Sequence, residues 1–199
     1  MHIRMLFVLA LCAGLFSAGC STGGGPDAQG RAAAPAAQTP GGAEPLSSLY
    51  LSEVEGLHVT GTAVEVDVET FRLQIRGKVA APLELRFDEL RAMETVRLEA
   101  DLVCPGFFVD RGAWTGVPVR ALLDRAGLEA GARTVSFTSV DGSYTQRLSL
   151  DQVLDPQILV AFEFDDRELH VLHGFPVRLA APGQPGNLWV KWLGEITVN

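Results

Sequence analysis

Cysteine is scarce in this chain: three occur in 199 residues, at positions 12, 20 and 104. They form no CxxC redox pair, no zinc-type cluster and no CxxCH haem attachment, so those chemistries are excluded. Basic charge is also short. A net charge of −8 leaves nothing to neutralise a phosphate backbone, which excludes a nucleic-acid binder. The Gly-x-Ser-x-Gly nucleophile elbow, the phosphate-cradling P-loop and internal repeats are missing too. The apolar run Met5 to Phe16 is too short to span a bilayer as a mature helix.

That run follows His2 and Arg4 and ends in Ser17-Ala18-Gly19-Cys20, which is the order of a signal peptide: charged start, short apolar stretch, small-residue cleavage site. Small residues before a cysteine resemble a bacterial lipoprotein signal. Residues 1–20 are therefore expected to be a signal peptide with lipidation at Cys20, leaving the protein anchored on the periplasmic side of the cell envelope. Residues 21–49 are rich in Gly, Ala, Pro, Ser and Gln, with no aromatic residue until Tyr50. Such a segment cannot offset its ordering entropy and reads as a flexible linker with a reach on the order of 30 Å. Residues 50–199 suffice for one domain with a sizeable core.

Within that domain Cys104 has no disulfide partner, because Cys12 leaves with the signal and Cys20 carries lipid. An exported chain commonly pairs its thiols, so the leftover one is either a small buried hydrophobe or a functional thiolate.

Period-two alternation predicts strands at Phe71–Ile75, Leu83–Phe87 and Val96–Leu102, the last running into Cys104. Asp88–Met93 reads as a short helix. Pro105-Gly106 ends the strand, so the thiol is placed at a strand end facing a loop. Apolar residues at helical spacing give a helix over Val117–Ala126, stopped by Gly127. Asp141-Gly142 and Asp165-Asp166-Arg167 mark hairpins, and Phe175–Ala181 and Val190–Val198 close the chain as strands. Many short strands with few helices predict an α+β domain, mixed and mainly antiparallel.

Late in the chain His170, His173, Arg178, Gln184, Asn187 and Lys191 cluster among glycines. That composition suits an anion pocket, with cations supplying charge and glycines permitting close backbone approach; it equally suits a solvated loop. Trp114, Trp189 and Trp192 read as core or pocket wall.

Six stretches, in order, carry a resemblance: FRLQIRGKVAAPLELRFDEL, LVCPG, WTGVPVRALLDRAG, SFTSVDGSY, HGFPVRLAAPG and VKWLGEITV. Together they resemble the molybdopterin-binding domain of the sulfite oxidase family, which includes small bacterial members and the periplasmic methionine sulfoxide reductase catalytic subunit. The resemblance implies a sulfite oxidase-like fold, a molybdenum-molybdopterin cofactor and Cys104 as the sulfur ligand of the metal. It places Ser139, His173, Arg178, Trp189, Val190 and Lys191 around the cofactor. Two-electron oxygen-atom transfer on a small-molecule substrate follows, with a separate electron-transfer partner, since nothing else in the chain carries electrons.

Two departures shape the expectation. Sulfite oxidases ring the metal with arginines, whereas Pro105, Gly106, Phe107, Phe108 and Val109 follow Cys104 here, which suits a neutral S-oxide or N-oxide better than sulfite. The signal carries Arg4 alone, without the Arg-Arg of the route taken by folded, cofactor-loaded proteins. A cofactor-free binding or accessory lipoprotein module of the same fold is therefore the alternative.

Overall fold

The computed structural model describes residues 52–199. The signal peptide, Cys20 and the linker lie outside the described residues. Among the described residues no helix is long and apolar enough to cross a membrane.

Strands β1 (Glu53–Val54) and β2 (Leu57–His58) form a small antiparallel hairpin. They precede β3 (Leu73–Gly77), β4 (Leu83–Leu85) and the short helix α1 (Phe87–Arg91). Next come β5 (Val96–Cys104), β6 (Phe108–Pro118) and α2 (Val119–Ala126). After β7 (Thr134–Ser139), β8 (Thr145–Ser149) and α3 (Leu150–Val153), β9 (Leu159–Phe164) turns into β10 (Arg167–Glu168). A 3-10 turn at Val171–His173, β11 (Arg178–Ala180), a second at Gly186–Leu188 and β12 (Leu193–Val198) complete the chain.

Two five-stranded sheets result. One runs β10-β9-β6-β5, with β11 also pairing β9; the other runs β4-β3-β12-β7-β8. Among the strands of the described residues only β12 with β3 is parallel, so the expected mainly antiparallel α+β architecture is the one observed. The core uses the alternation read from sequence: Leu73 and Ile75 are fully buried, as are Val119, Leu122, Leu123 and Ala126 on the inner stripe of α2. Gly127 then ends α2 in the left-handed region at φ 74°, where a side chain would be strained.

Some bounds shift from expectation: Val117 and Pro118 end β6 rather than open the helix, and the last two strands begin only at Arg178 and Leu193. Residues 105–116 read as a loop, yet β6 begins at Phe108 and runs eleven residues against both β5 and β9. Pro105-Gly106 is the tip of a tight hairpin rather than the end of the sheet. Gly106 takes φ 82°, and the Phe107 N–H donates to the Cys104 carbonyl at 3.0 Å. Where β6 meets β9 the register shifts at Thr115/Gly116, and a Cβ on Gly116 would stand 2.2 Å from the Val160 oxygen. Only glycine fits that approach.

Candidate functional site

Cys104 is the last residue of β5 and lies opposite Phe108, as Leu102 lies opposite Asp110. Successive side chains of a strand point to opposite faces. Cys104, Leu102, Phe108 and Asp110 therefore share one face, while Val103, Val109 and Arg111 take the other. Arg111 pairs there with Asp101 at 3.4 Å and is mostly exposed. The apolar surround expected of the thiol is joined by a charge: Phe108 lies directly across the hairpin, and diagonal to the thiol on the same face is the Asp110 carboxylate, 5 % exposed. Partial burial, and then the Asp110 charge, push the Cys104 thiol above its ordinary value.

Asp110 is held by a residue that sequence reading passed over. The His58 backbone N–H donates to its Oδ2 at 2.9 Å, and the His58 ring Nδ1 stands 2.5 Å from Oδ1. The same imidazole stacks on Phe108, with centroids 4.3 Å apart and planes 9° from parallel. Asp110 was missed because its stretch was read as loop. The signal was present in Phe108-Val109-Asp110-Arg111, where strand alternation puts one carboxylate inward.

Two buried cations, Arg178 and Lys191, lie within electrostatic reach of the same carboxylate. Arg178 opens β11, is 2 % exposed, and donates to the carbonyls of His173 (3.1 Å) and Trp189 (3.3 Å). Its guanidinium lies 5.1 Å from the Trp114 ring and 5.9 Å from that of Trp189. Burial lowers its pKa to about 10, against the opposing pull of Asp110, so it stays charged at neutral pH. Lys191 donates to the carbonyls of Leu172 (2.7 Å) and Thr60 (2.9 Å). Burial, and then Arg178, bring it down to about 7. His173 is 1 % exposed and stands 2.6 Å from the Val54 carbonyl through Nε2. A carbonyl only accepts, so Nε2 carries the proton. Desolvation, the leading cause, pushes His173 down to about 4 and keeps it neutral.

Gly174, at φ 108°, lets this turn close: a Cβ would stand 3.1 Å from Arg178 Cβ and from Lys191 Cα. The Trp189 carbonyl is a partner of Arg178, and its indole packs on Trp114 at 5.2 Å. Val190 is fully buried, and its carbonyl accepts from Leu179. The structure thus brings together His173, Arg178, Trp189, Val190 and Lys191.

Other expected members have different partners, although the His170 ring lies 6.0 Å from that of His173. The Ser139 hydroxyl donates to Asp141 at 2.6 Å and accepts from the Tyr144 N–H at 3.1 Å, which commits it to the β7–β8 turn. Ser139 also lines a cavity of about 560 Å³ between Phe71, Gln74, Gly194 and Glu195, a space that Arg178 and Lys191 do not line. His170 caps its own turn through Nδ1, Gln184 bonds Gln152, and the Asn187 carbonyl accepts from Tyr144.

Two buried atoms of the cluster have no partner, His173 Nδ1 and Arg178 Nε. Neutral His173 presents a bare acceptor, and Arg178 presents an unused donor beside unneutralised positive charge. A group with N–H donors at one place and anionic oxygens at another satisfies both. A pterin bearing a phosphate is such a group, so the residues present fit it.

The oxidoreductase molybdopterin binding domain pattern matches residues 60–199. A nitrate reductase from Volvox carteri is 34 % identical over 69 % of this chain and 20 % of its own. A sulfite oxidase from Arabidopsis thaliana is 27 % identical over 81 % of this chain and 52 % of its own. A chain from Azospira oryzae, named as a protein-methionine-sulfoxide reductase subunit, is 31 % identical over 67 % of this chain and 51 % of its own. The crystal structure of the sulfane dehydrogenase SoxCD from Paracoccus pantotrophus superimposes with a TM-score of 0.65 at 26 % identity, covering 68 % of this chain and 40 % of that one. The chain thus spans from a fifth to about half of the length of these relatives. It belongs to the sulfite oxidase-type family of molybdopterin-binding oxidoreductases, whose cofactor is molybdenum-molybdopterin.

Proposed function

We propose that this protein is an envelope-located oxidoreductase that performs two-electron oxygen-atom transfer on a small, neutral S-oxide or N-oxide. Cys104 Sγ would hold the molybdenum. Arg178 and Lys191 would hold the anionic end of the pterin, and His173 Nδ1 would accept from one of its N–H groups. When bound, the cofactor supplies the exchange of an oxygen atom for two electrons. Reducing an oxide to its parent compound takes two electrons and two protons and releases one water, so a separate electron donor is needed.

The single observation behind the substrate class is the face shared by Cys104 and Asp110. A buried carboxylate on the thiol's face opposes a second anion, and Arg111 is turned away to Asp101. Bringing sulfite there would desolvate its charge without a paired cation, a cost of several kcal/mol or more. A neutral oxide carries no such cost. Lys191, poised near neutrality by burial, regains its proton when an anion arrives, so cofactor binding itself restores the pocket's charge.

Protein purified from its native envelope and assayed for molybdenum, pterin and turnover tests the reading. Near-stoichiometric metal and pterin, with faster turnover of small sulfoxides or N-oxides than of sulfite, supports it; faster sulfite oxidation removes the substrate assignment. One observation favours the second reading, a cofactor-free binding module: the void beside His173, between Leu57 and His170, measures only about 10 Å³. Native protein without molybdenum and pterin would establish that module instead.

A further inference from the structure

Residues 52–60 lie against the cationic cluster and accept from two of its members. The Val54 carbonyl receives the His173 Nε2–H, and the Thr60 carbonyl receives Lys191. His58 clasps Asp110 through both its backbone and its ring. Leu57 is 1 % exposed, and the Val59 N–H donates to the Ser52 carbonyl at 2.8 Å, closing the hairpin on itself. The void left between Leu57 and His173 is about 10 Å³, room for one water molecule, and Arg178 and Lys191 do not line it.

We propose that residues 52–60 are a strap that closes the cationic pocket and lifts to admit the anionic end of the cofactor, with His58 on Asp110 as its latch. The proposal rests on the reading of the pocket as a molybdopterin site. Two observations carry it. The strap offers Lys191 a single neutral carbonyl, that of Thr60, whereas an anion adds direct charge attraction to the same ammonium. Its hold on the domain is a handful of local contacts, namely two-residue strands, one buried leucine, two carbonyls that accept from His173 and Lys191, and His58 against Asp110 and Phe108; pieces of that kind open below the global unfolding free energy.

A closed strap reduces the apparent affinity for an anion by the fraction of molecules that are open. The test uses full-length protein from a host that makes no molybdopterin, with inorganic pyrophosphate as the probe. Calorimetry on His58→Ala and on Leu57→Ala is expected to show binding about tenfold tighter than wild type, because each variant raises the open fraction. Lys191→Ala in the His58→Ala background is expected to abolish it. In unaltered protein, pyrophosphate is expected to accelerate amide exchange at residues 53–59, a change that a fixed wall would not make. Unchanged or weaker binding in both strap variants, or no binding by any variant, overturns the strap. The parent reading fails separately: native protein lacking molybdenum and pterin sinks it whatever the strap does, whereas a loaded native protein with indifferent strap variants sinks the strap alone.

Discussion

The guanidinium of Arg178 stands 5.1 Å from the indole of Trp114 and hydrogen-bonds two backbone carbonyls, with no carboxylate in direct contact among the described residues. A buried cation is tolerated there because the ring face and the carbonyl dipoles together replace part of its hydration. Removing it leaves the His173 and Trp189 carbonyls unpartnered and opens a cavity. Arg178→Ala is expected to lose about 3 kcal/mol of stability, measured by urea unfolding. Arg178→Lys, which keeps the charge without the planar fork, is expected to lose less than half of that while still losing cofactor. An alanine variant as stable as the parent would mean that the cation is held only for its ligand.

Lys191 makes stability depend on pH in a definite direction. Its folded pKa of about 7 lies below its ordinary 10.5, so between those values the unfolded chain binds more protons than the folded one. Stability therefore rises as pH climbs through that window, and the full penalty of burying the charge applies below it. His173 adds a second window: its pKa of about 4 against an ordinary 6.5 means that stability falls as pH drops from 6.5 to 4. Cofactor-free protein is expected to melt at higher temperature at pH 9 than at pH 7, and Lys191→Met is expected to flatten that rise. A melting profile identical in the two proteins would show that Lys191 is solvated.

Cys104 is partly exposed and makes no disulfide. Cys104→Ser is expected to change stability by less than about 1 kcal/mol, since no packed volume or hydrogen bond is lost. It is expected to abolish molybdenum retention, measured by elemental analysis, because a hydroxyl is a poor substitute for a soft thiolate. Full metal content in the serine variant would remove Cys104 as the ligand.

Much of this arrangement was legible beforehand, and the reason differs from element to element. Helix α2 was readable because Val119, Leu122, Leu123 and Ala126 repeat at helical spacing, and the Asp141-Gly142 turn because its residues suit a hairpin. The cluster of His173, Arg178 and Lys191 was legible as residue types but not as a set, since His170, Gln184 and Asn187 looked equally eligible, yet His170 caps its own turn while Gln184 and Asn187 bond Gln152 and Tyr144. Strand β6 was lost at Pro105-Gly106, where a proline that stops a sheet and one at the tip of a hairpin look alike. With β6 went the inward aim of Asp110. His58 had no local pattern to reveal it, because its partner is 52 residues away.

Gly116 illustrates the same long-range dependence. Its backbone meets Val160 and Ala161 across the β6–β9 register shift, where a Cβ would stand 2.2 Å from a carbonyl oxygen and 2.6 Å from a Cα. Backbone atoms cannot swing aside as a side-chain tip can. Gly116→Ala is expected to cost about 2 kcal/mol or more, whereas Gly142→Ala, with open space around it but φ 69°, is expected to cost about 1 kcal/mol. Thermal unfolding of the two variants side by side checks the order; a reversed order would mean that β6 and β9 pair less closely than described.

Asp110 offers the most direct check on the proposed site, because it links the thiol, the two cations and the strap. Burial and then the Asp110 charge hold the Cys104 thiol in its protonated form at neutral pH. The thiol of cofactor-free protein is therefore expected to alkylate slowly at pH 7, its rate rising only at alkaline pH, since the thiolate is the nucleophile. Asp110→Asn keeps an oxygen to accept from the His58 N–H but removes the charge. It is expected to shift the alkylation midpoint to lower pH while leaving the burial contribution in place. The same variant withdraws the one carboxylate that opposes the pocket's desolvation of Arg178 and Lys191, so both cations are expected to lose protons more readily and pyrophosphate binding to weaken above pH 7. A thiol that titrates identically in the two proteins would place Asp110 too far from Cys104 to influence a metal bound there, and the carboxylate would then serve the strap alone.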